Sequence, residues 1–391
     1  MKYYIIAGEP SGDLHGSNLI REIKKLDPKS TIKCWGGDLM EAAGGEVLKH
    51  YRELAFMGFT EVVKNLPTIL RNMKTCKEQI RQFQPDAIIL IDYPGFNLRI
   101  AKWAKQQNLK VIYYISPQVW AWKENRVKTI KANVDRMLVI LPFEKEFYKK
   151  WNYDVEYVGH PLVEVVDRFI EDNGKREADL APKTENPVRP WLPEGNPAPS
   201  SGGNQIVALL PGSRKQEIMK KLPIMLEVSR HFPECRFVVA QAPGQEDSFY
   251  QGLLRQYPNV SAVRNRTYEL LLRANAACVT SGTATLETAL FGVPEVICYK
   301  GSPVSFLIAK RLIKVKYISL VNLIMDKPVV KELIQDELTV DNLRQELNEL
   351  LGNERRKAQM DSDYRDLKNI LGIGGHASAN AARAIIGYLM H

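Results

Sequence analysis

The sequence lacks the features that identify several common classes of protein. Its five cysteines include no C-x-x-C pair, so they indicate neither a zinc site nor a disulfide framework, and a reducing compartment is expected. No apolar run is long enough to span a bilayer, and the first residues form a strand rather than a signal peptide. We therefore expect a cytoplasmic protein whose contact with any membrane is peripheral.

Several nucleotide-binding and hydrolase motifs are also missing. The absence of G-x-G-x-x-G, a Walker loop, H-E-x-x-H and G-x-S-x-G argues against a dehydrogenase, a kinase, a metalloprotease and a serine hydrolase. The net charge of +9 comes from 54 basic and 45 acidic residues, so both signs are abundant. This surplus suits anionic phosphates or an anionic membrane face, and no nucleic acid partner is expected.

What the chain does contain is a repeated alternation of short apolar runs and helical patterns. This alternation predicts an α/β fold built from parallel, doubly wound sheets. Residues 172–204 interrupt it, because they are rich in proline, glycine and serine and can bury little. We predict a first Rossmann-like domain at 1–171, a linker at 172–204 and a second domain at 205–391. The two domains are expected to face each other across a cleft, with mostly helical structure beyond residue 301.

The most informative stretch is a strand at 277–280 that leads into a helix. Small residues form the corner, and the helix start behind them presents unpaired N–H groups and the positive end of its dipole. This arrangement predicts a phosphate cradle. Its members are Ser281, Gly282, Thr283, Ala284 and Thr285. Glu287, in the first turn, could accept hydrogen bonds from ribose hydroxyls, although an acid is favoured near any helix start.

A second corner of the same kind follows the strand at 206–210. It carries Gly212, Ser213 and Arg214 and leads into another helical pattern. Because the carboxyl ends of parallel strands meet at one edge, both corners should border one crevice. The guanidinium of Arg214 is planar and permanently charged, so it can donate hydrogen bonds to a diphosphate. An arginine that only faced solvent would be slightly unfavourable here, because its positive charge lies near the positive end of the helix dipole. Its presence at the helix start therefore favours a role in binding the diphosphate.

In the first domain, polar and aromatic side chains collect in the loops that follow the strands. Such a pocket suits a sugar or a sugar that carries lipid. The candidates for the acceptor side are Gly8, Glu9, Ser11, Asp13, Asn97, Gln118, Trp120 and Glu144, with Asn322 added from the second half. Trp120 and the nearby Trp122 could equally pack between domains.

Asp92 is the carboxylate that we single out as a catalytic candidate. It directly follows four apolar residues and precedes Pro94 and Gly95, so its side chain should lie at the edge of the sheet and be partly desolvated. A carboxylate in that position can take a proton from a sugar hydroxyl. A turn-forming or helix-capping aspartate is an equally good explanation of the residue type.

Residues 57–73 combine an apolar helical face with basic neighbours. This pattern suits an anionic bilayer surface, and core packing explains it as well. The apolar candidates for membrane contact are Phe59, Val62, Val63, Leu66, Ile69 and Leu70.

Taken together, the motifs resemble the lipid-A-disaccharide synthase family, which are glycosyltransferases with the two-domain GT-B fold. The matching segments run in order over nearly the whole chain. They are GEPSGD (8–13), MG (57–58), IDYPGFN (91–97), SPQVWAW (116–122), LPFE (141–144), GH (159–160), LPGSR (210–214), TSGTATLE (280–287), AKRL (309–312) and Asn322. Pro10 and Gly95 depart from the family, where Ala and Asp stand, and the linker is longer than usual.

The resemblance implies transfer of 2,3-diacylglucosamine from its UDP donor to 2,3-diacylglucosamine 1-phosphate, giving a β(1→6) disaccharide and UDP. It implies that Asp92 acts as the base of an inverting reaction that needs no metal or other cofactor. It also implies a homodimer with exchanged C-terminal segments, located at the cytoplasmic face of the inner membrane. A UDP-N-acetylglucosamine 2-epimerase and a non-catalytic nucleotide-sugar-binding protein are the alternatives.

Overall fold

The computed structural model describes residues 1–54, 66–122, 124–179, 205–242, 244–302, 316–373 and 375–390. The chain divides into two compact units. The first consists of Met1–Pro161 and Leu371–His391, and the second of Leu162–Ile370. Among the described residues, no helix has the length and apolar character needed to cross a bilayer.

The first unit is built on a seven-stranded parallel sheet of order β3-β2-β1-β4-β5-β6-β7. The strands are β1 Lys2–Ala7, β2 Thr31–Gly36, β3 Glu46–His50, β4 Ala87–Ile91, β5 Val111–Tyr114, β6 Arg136–Val139 and β7 Glu156–Tyr157. The helices are α1 Pro10–Leu26, α2 Asp38–Ala42, α3 Leu66–Phe83, α4 Pro94–Gln106, α5 Val119–Trp122, α6 Arg126–Asn133 and α7 Glu144–Lys149. A 3₁₀ turn covers Tyr51–Glu53.

Both faces of this sheet are covered. Successive residues of β1 point to opposite faces, so Tyr4 and Ile6 belong to one apolar cluster while Tyr3 and Ile5 belong to another. All five residues of β4 are buried. A central strand without polar alternation is what a parallel sheet between two helical layers requires.

The strand order of the first unit reverses between β1 and β4, which are hydrogen-bonded neighbours. The chain moves to one side of β1 for β2 and β3, and to the other side of β4 for β5, β6 and β7. Loops at such a switch point diverge and leave a crevice at the carboxyl ends of the two strands. Here the two loops carry Gly8 and Glu9 after β1 and Asp92 after β4.

The second unit has a six-stranded parallel sheet of order β10-β9-β8-β11-β12-β13, with its switch point between β8 and β11. The strands are β8 Ile206–Leu210, β9 Arg236–Gln241, β10 Val260–Arg264, β11 Ala276–Thr280, β12 Glu295–Tyr299 and β13 Lys331–Ile334. The helices are α8 Pro161–Asp179, α9 Lys215–Ser229, α10 Asp247–Leu254, α11 Thr267–Leu271, α12 Thr283–Leu290, α13 Leu320–Met325, α14 Val340–Gly352 and α15 Glu354–Leu371. A 3₁₀ turn covers Gln335–Glu337.

The last helix, α16 Ala377–Met390, belongs to the first unit, which corrects the predicted boundary. Its apolar side, with Ala381, Ala382 and Ile385, joins the cluster formed by α1 and the sheet. Asn380 Nδ2 donates to the carbonyl of Val158 at 3.0 Å. The apolar surface that this helix covers therefore lies on the first unit rather than on the elements that precede it directly in the chain.

The linker boundary and one edge strand also differ from the prediction. The helix α8 continues to Asp179, so residues 172–179 are helical, and residues 180–204 lie outside the described part. Phe169 of α8 packs edge-on against Tyr268 and Phe291, which places the helix with the second unit. Beyond residue 301, where mostly helical structure was expected, the structure adds the edge strand β13.

Candidate functional site

The two strand-to-helix corners of the second unit border one cavity of about 430 Å³. This confirms the prediction that they face a common crevice, because β8 and β11 are neighbours at the switch point. All nine predicted members of the nucleotide site except Thr285 line it: Gly212, Ser213, Arg214, Ser281, Gly282, Thr283, Ala284 and Glu287. Thr285 is buried directly behind them and donates to the carbonyl of Gly282 at 2.9 Å.

The corner before α12 depends on Gly282. Its φ of 143° favours glycine, and among the described residues no atom beyond its chain neighbours lies within 4 Å of the place where a Cβ would project. The backbone there is therefore open to an approaching ligand, and the amide N–H groups at the start of α12 stand behind it. Ser281 Oγ donates to the carbonyl of Ile318 at 2.9 Å, which ties the corner to the segment before α13.

The other corner carries the cationic side of the cavity. Arg214 precedes α9, and its guanidinium lies 3.6 Å from Glu217 Oε1. Gly212 has φ 112°, and a Cβ on it would stand 2.9 Å from Glu217 Oε2 and 3.3 Å from Thr280 Cγ2. The backbone conformation thus favours glycine, and a Cβ would also displace the Glu217 carboxylate. Glu217 lines the cavity as well, and sequence reasoning did not select it.

Glu287 is held in place by a residue that the sequence did not reveal. Tyr268 Oη donates a hydrogen bond of 2.7 Å to Glu287 Oε1. Burial raises the pKa of Glu287, and the tyrosine hydroxyl opposes that rise. The ring of Tyr268 packs against Phe291 with centroids 5.1 Å apart. An oriented carboxylate at the cavity wall can accept hydrogen bonds from the hydroxyls of a ribose.

In the first unit, Asp92 lies at the end of β4 on a left-handed turn. Its φ is 42° and that of Tyr93 is 48°, values that are uncommon for residues other than glycine. The carbonyl of Asp92 accepts hydrogen bonds from Tyr113 Oη at 2.5 Å and from Asn97 Nδ2 at 2.8 Å. These contacts stabilise the turn and set the direction in which the carboxylate projects.

The environment of Asp92 moves the pKa of its carboxyl towards neutral pH. Burial raises the pKa of this carboxyl to about 6, and the negative charge of Glu9 adds to the rise. The N–H of Tyr93 acts in the opposite direction. Because a general base works best when its pKa is close to the working pH, the shift suits proton transfer at neutral pH.

The loop after β1 is fitted to the Asp92 turn. A Cβ on Gly8 would lie 2.4 Å from the ring of Tyr93, so glycine is required at that position. Glu9 precedes α1 with extended backbone, and Ser11 is exposed in the first turn of that helix. Gly8, Glu9 and Asp92 therefore come together at the switch point, as the strand order requires.

Four other residues predicted for the acceptor side form hydrogen bonds with backbone groups of the protein itself. They are Asp13, Glu144, Asn97 and Asn322. Asp13 accepts N–H bonds from Gly37, Leu39 and Met40 at 2.7 to 3.1 Å, which fixes the start of α2. Glu144 accepts from the N–H of Leu141 at 3.0 Å, and burial raises its pKa to about 8.

The two asparagines are equally engaged. Asn97 is fully buried, and its Nδ2 also donates to the carbonyls of Ile91 and Ile6. Asn322 pairs with the N–H and the carbonyl of Val330 at 2.9 Å each. The structure gives all four residues a structural role, and contact with a substrate stays a prediction for them.

The remaining predicted residues divide into described and undescribed ones. Gln118 is exposed, while Trp120 is only 8% exposed and packs edge-on against Phe143 at 4.9 Å, in line with the packing alternative. Ile69 is partly buried and Leu70 is 58% exposed on α3. Outside the described residues or side chains lie Phe59, Val62, Val63, Leu66, Trp122 and the segment 309–312.

Two doubly wound units, with a diphosphate-sized cavity at the switch point of the second, define a nucleotide-sugar enzyme of the GT-B class. Solved structures share this fold. The UDP-GlcNAc 2-epimerase from Neisseria meningitidis, bound to UDP-GlcNAc, superposes with a TM-score of 0.66 over 100% of both chains at 13% identity. The glycosyltransferase of kitacinnamycin gives 0.62 over 99% of both chains at 14% identity. At such identities the likeness concerns the fold alone, and it confirms the predicted class.

Sequence relatives identify the family. The model of the lipid-A-disaccharide synthetase family matches residues 3–193 and 201–386. The lipid-A-disaccharide synthase of Syntrophus aciditrophicus is 38% identical over 97% of this chain and 96% of its own length. That of Geobacter sulfurreducens is 39% identical over 95% and 93%. The chain belongs to the lipid-A-disaccharide synthase family, as its motifs predict.

Proposed function

We propose that this chain transfers a 2,3-diacylglucosamine unit from its UDP donor to 2,3-diacylglucosamine 1-phosphate, with Asp92 as the base. Membership of the family makes it a UDP-sugar-dependent glycosyltransferase that forms the lipid A disaccharide. The assignment of particular residues to the steps of the reaction goes beyond family membership. It is carried by one observation: a carboxylate with a pKa of about 6 lies on a constrained turn at the switch point of the first unit.

In the proposed reaction, the Asp92 carboxylate takes the proton of the acceptor's 6-hydroxyl as that oxygen attacks the anomeric carbon of the donor. The new C–O bond forms on the face opposite to the departing UDP, so the anomeric configuration inverts to β. The bond between the anomeric carbon and the diphosphate oxygen breaks, and UDP leaves with the electron pair. Asp92 then releases the proton to water.

The departing UDP carries negative charge that has to be stabilised. We assign this role to Arg214 and to the amide N–H groups at residues 281–284, since both border the cavity of the second unit. Glu287, oriented by Tyr268, is assigned to the ribose. The proposal uses no metal and no other cofactor, because the guanidinium and the helix start supply the positive charge.

We also propose where in the cell the chain acts. Acylated substrates have to be met at a bilayer, so we assign the chain to peripheral contact with the cytoplasmic face of the inner membrane through residues 59–70. The exposed Leu70 and the basic net charge support an anionic surface as the partner. A homodimer with exchanged C-terminal segments is also proposed, in which α16 of the partner would make the contacts that α16 makes here with α1.

The test is to incubate the purified full chain with both acylated substrates and to analyse the products by mass spectrometry. Formation of the disaccharide 1-phosphate with one UDP released per disaccharide is the expected result. Conversion of non-acylated UDP-N-acetylglucosamine to its 2-epimer, without disaccharide, would identify an epimerase instead. Binding of UDP without any release of product from either substrate would identify a nucleotide-sugar-binding protein.

A further inference from the structure

A buried lysine lies beside the nucleotide cavity and has no part in the proposed mechanism so far. Lys221 is in the second turn of α9, and the residue is only 4% exposed. Its ammonium donates a hydrogen bond to Thr280 Oγ1. Thr280 is the last residue of β11, directly before the Ser281 corner, and it lines the cavity. The ammonium is therefore separated from the cavity by a single small side chain.

The charge of Lys221 is poorly compensated within the protein. Burial lowers the pKa of its ammonium, and the carboxylate of Glu217, one turn earlier on α9, only partly opposes this. Within residues 205–242, 244–302 and 316–370, no carboxylate lies at ion-pair distance from Lys221 Nζ. Thr280 Oγ1 passes its own hydrogen to the carbonyl of Cys298 at 3.3 Å and so is free to accept from the lysine. A buried cation whose partner is a neutral hydroxyl is costly unless an anion approaches it.

The neighbouring charges show how an anion could be drawn in. Glu217 lies between two cations, since it contacts Arg214 at 3.6 Å and precedes Lys221 by one helical turn. A diphosphate in the cavity would bring additional negative charge close to both Arg214 and Lys221.

We propose that Lys221 is a positioning residue for the diphosphate of the UDP donor, acting through Thr280 and through its charge. The proposal rests on the function proposed above and names a cation that the motifs do not include. Lys221 holds the hydroxyl of Thr280 at the edge of the cavity, and its ammonium strengthens the attraction of the cavity for phosphate from a region that water does not screen. It contributes nothing to recognition of the uridine.

The proposal is tested by measuring the affinity of the full chain for UDP by calorimetry and for uridine by ligand-observed NMR. Lys221→Met should weaken UDP binding by roughly ten- to a hundredfold and leave uridine binding within about twofold. Lys220→Met removes an exposed charge from the same helix and serves as the matched control. It should change neither affinity by more than about twofold.

Each other outcome has a distinct meaning. If the wild-type chain fails to bind UDP, the proposed function is wrong. If the wild-type chain binds UDP and Lys221→Met binds it equally well, or loses UDP and uridine to the same degree, Lys221 is a packing residue and the inference is overturned. Should Lys221→Met not fold, Lys221→Arg and Lys221→Gln replace it. The arginine variant should keep UDP affinity within about threefold while the glutamine variant loses it, and equal affinities would contradict the proposal.

Discussion

The hydroxyl group of Tyr113 donates a 2.5 Å hydrogen bond to the main-chain carbonyl of Asp92. Tyr113 lies on β5, next to β4, and its ring is fully buried. The hydroxyl therefore reaches the turn from a rigid neighbouring strand. Because Asp92 and Tyr93 both have positive φ, the turn needs such contacts to persist.

Tyr113→Phe should lower kcat by about tenfold while leaving the dissociation constant for UDP unchanged within about twofold. The reason is that the base loses its orientation, whereas the nucleotide cavity belongs to the other unit. Steady-state kinetics together with calorimetric titration of UDP measure the two quantities. Tyr153→Phe removes a hydroxyl that donates to the carbonyl of Val134 at 3.1 Å and is the control, for which kcat should stay near that of the wild type.

The pH dependence of the reaction should report Asp92. As the base, Asp92 has to be ionised, so kcat/KM should rise with pH and level off above its pKa of about 6. Glu9→Gln removes a negative charge that raises this pKa, and the midpoint of the acid limb should therefore move to lower pH. Glu22→Gln, further along α1, should leave the midpoint unchanged. A midpoint that stays in place in Glu9→Gln would show that the limb does not arise from Asp92.

Removal of the hydroxyl that orients Glu287 should weaken nucleotide binding. Tyr268→Phe leaves the Glu287 carboxylate without its 2.7 Å hydrogen bond, and UDP affinity should fall by about three- to tenfold. Tyr257 offers a matched control, because its hydroxyl donates to Glu227 at 3.1 Å away from the nucleotide cavity. Unchanged UDP affinity in Tyr268→Phe, or an equal loss in Tyr257→Phe, would contradict the assignment of Glu287 to the ribose.

The buried Asp92 carboxyl should also lower the free energy of unfolding of the wild-type chain at neutral pH. A carboxyl whose pKa is raised from 3.8 to about 6 on folding contributes stability below pH 3.8, and that contribution is lost as pH rises through 6. In Asp92→Asn the side chain does not titrate, so this contribution does not change with pH. The free energy of unfolding of the variant, relative to that of the wild type, should therefore increase by roughly 2 kcal/mol between pH 4 and pH 8. Urea denaturation at both pH values measures the difference. A stability difference that does not depend on pH would show that Asp92 is not desolvated.

The sequence predicted the elements whose signal is local. The apolar runs that become β4, β8 and β11 are buried strands of parallel sheets, and the small-residue corners after β8 and β11 meet because those strands are neighbours. What could not be predicted depends on contacts between distant segments. The edge strands β3, β7 and β13 carry little apolar character of their own, and α16 packs on a domain that lies far away in the chain.

The same distinction applies to the candidate site. Asp92, Arg214 and the 281–285 corner follow strands directly, so their positions could be derived from the chain. Tyr113 acts on Asp92 and Tyr268 acts on Glu287, through hydrogen bonds that cross between elements. Glu217 acts on Arg214 through an ion pair. Asp13 and Asn97 were selected as substrate contacts because they are polar residues in loops. Their side chains are buried against backbone groups, a difference that only coordinates reveal.

The most direct test of the central claim is the turnover of Asp92→Asn with both acylated substrates. We predict that kcat for disaccharide formation falls by about a hundredfold to ten-thousandfold, while the dissociation constant for UDP stays within about threefold of the wild-type value. Asp86→Asn, which changes an exposed aspartate at the opposite end of the same strand, should retain wild-type turnover. Turnover of Asp92→Asn close to that of the wild type would contradict the account, because the proton of the acceptor would then leave by another route.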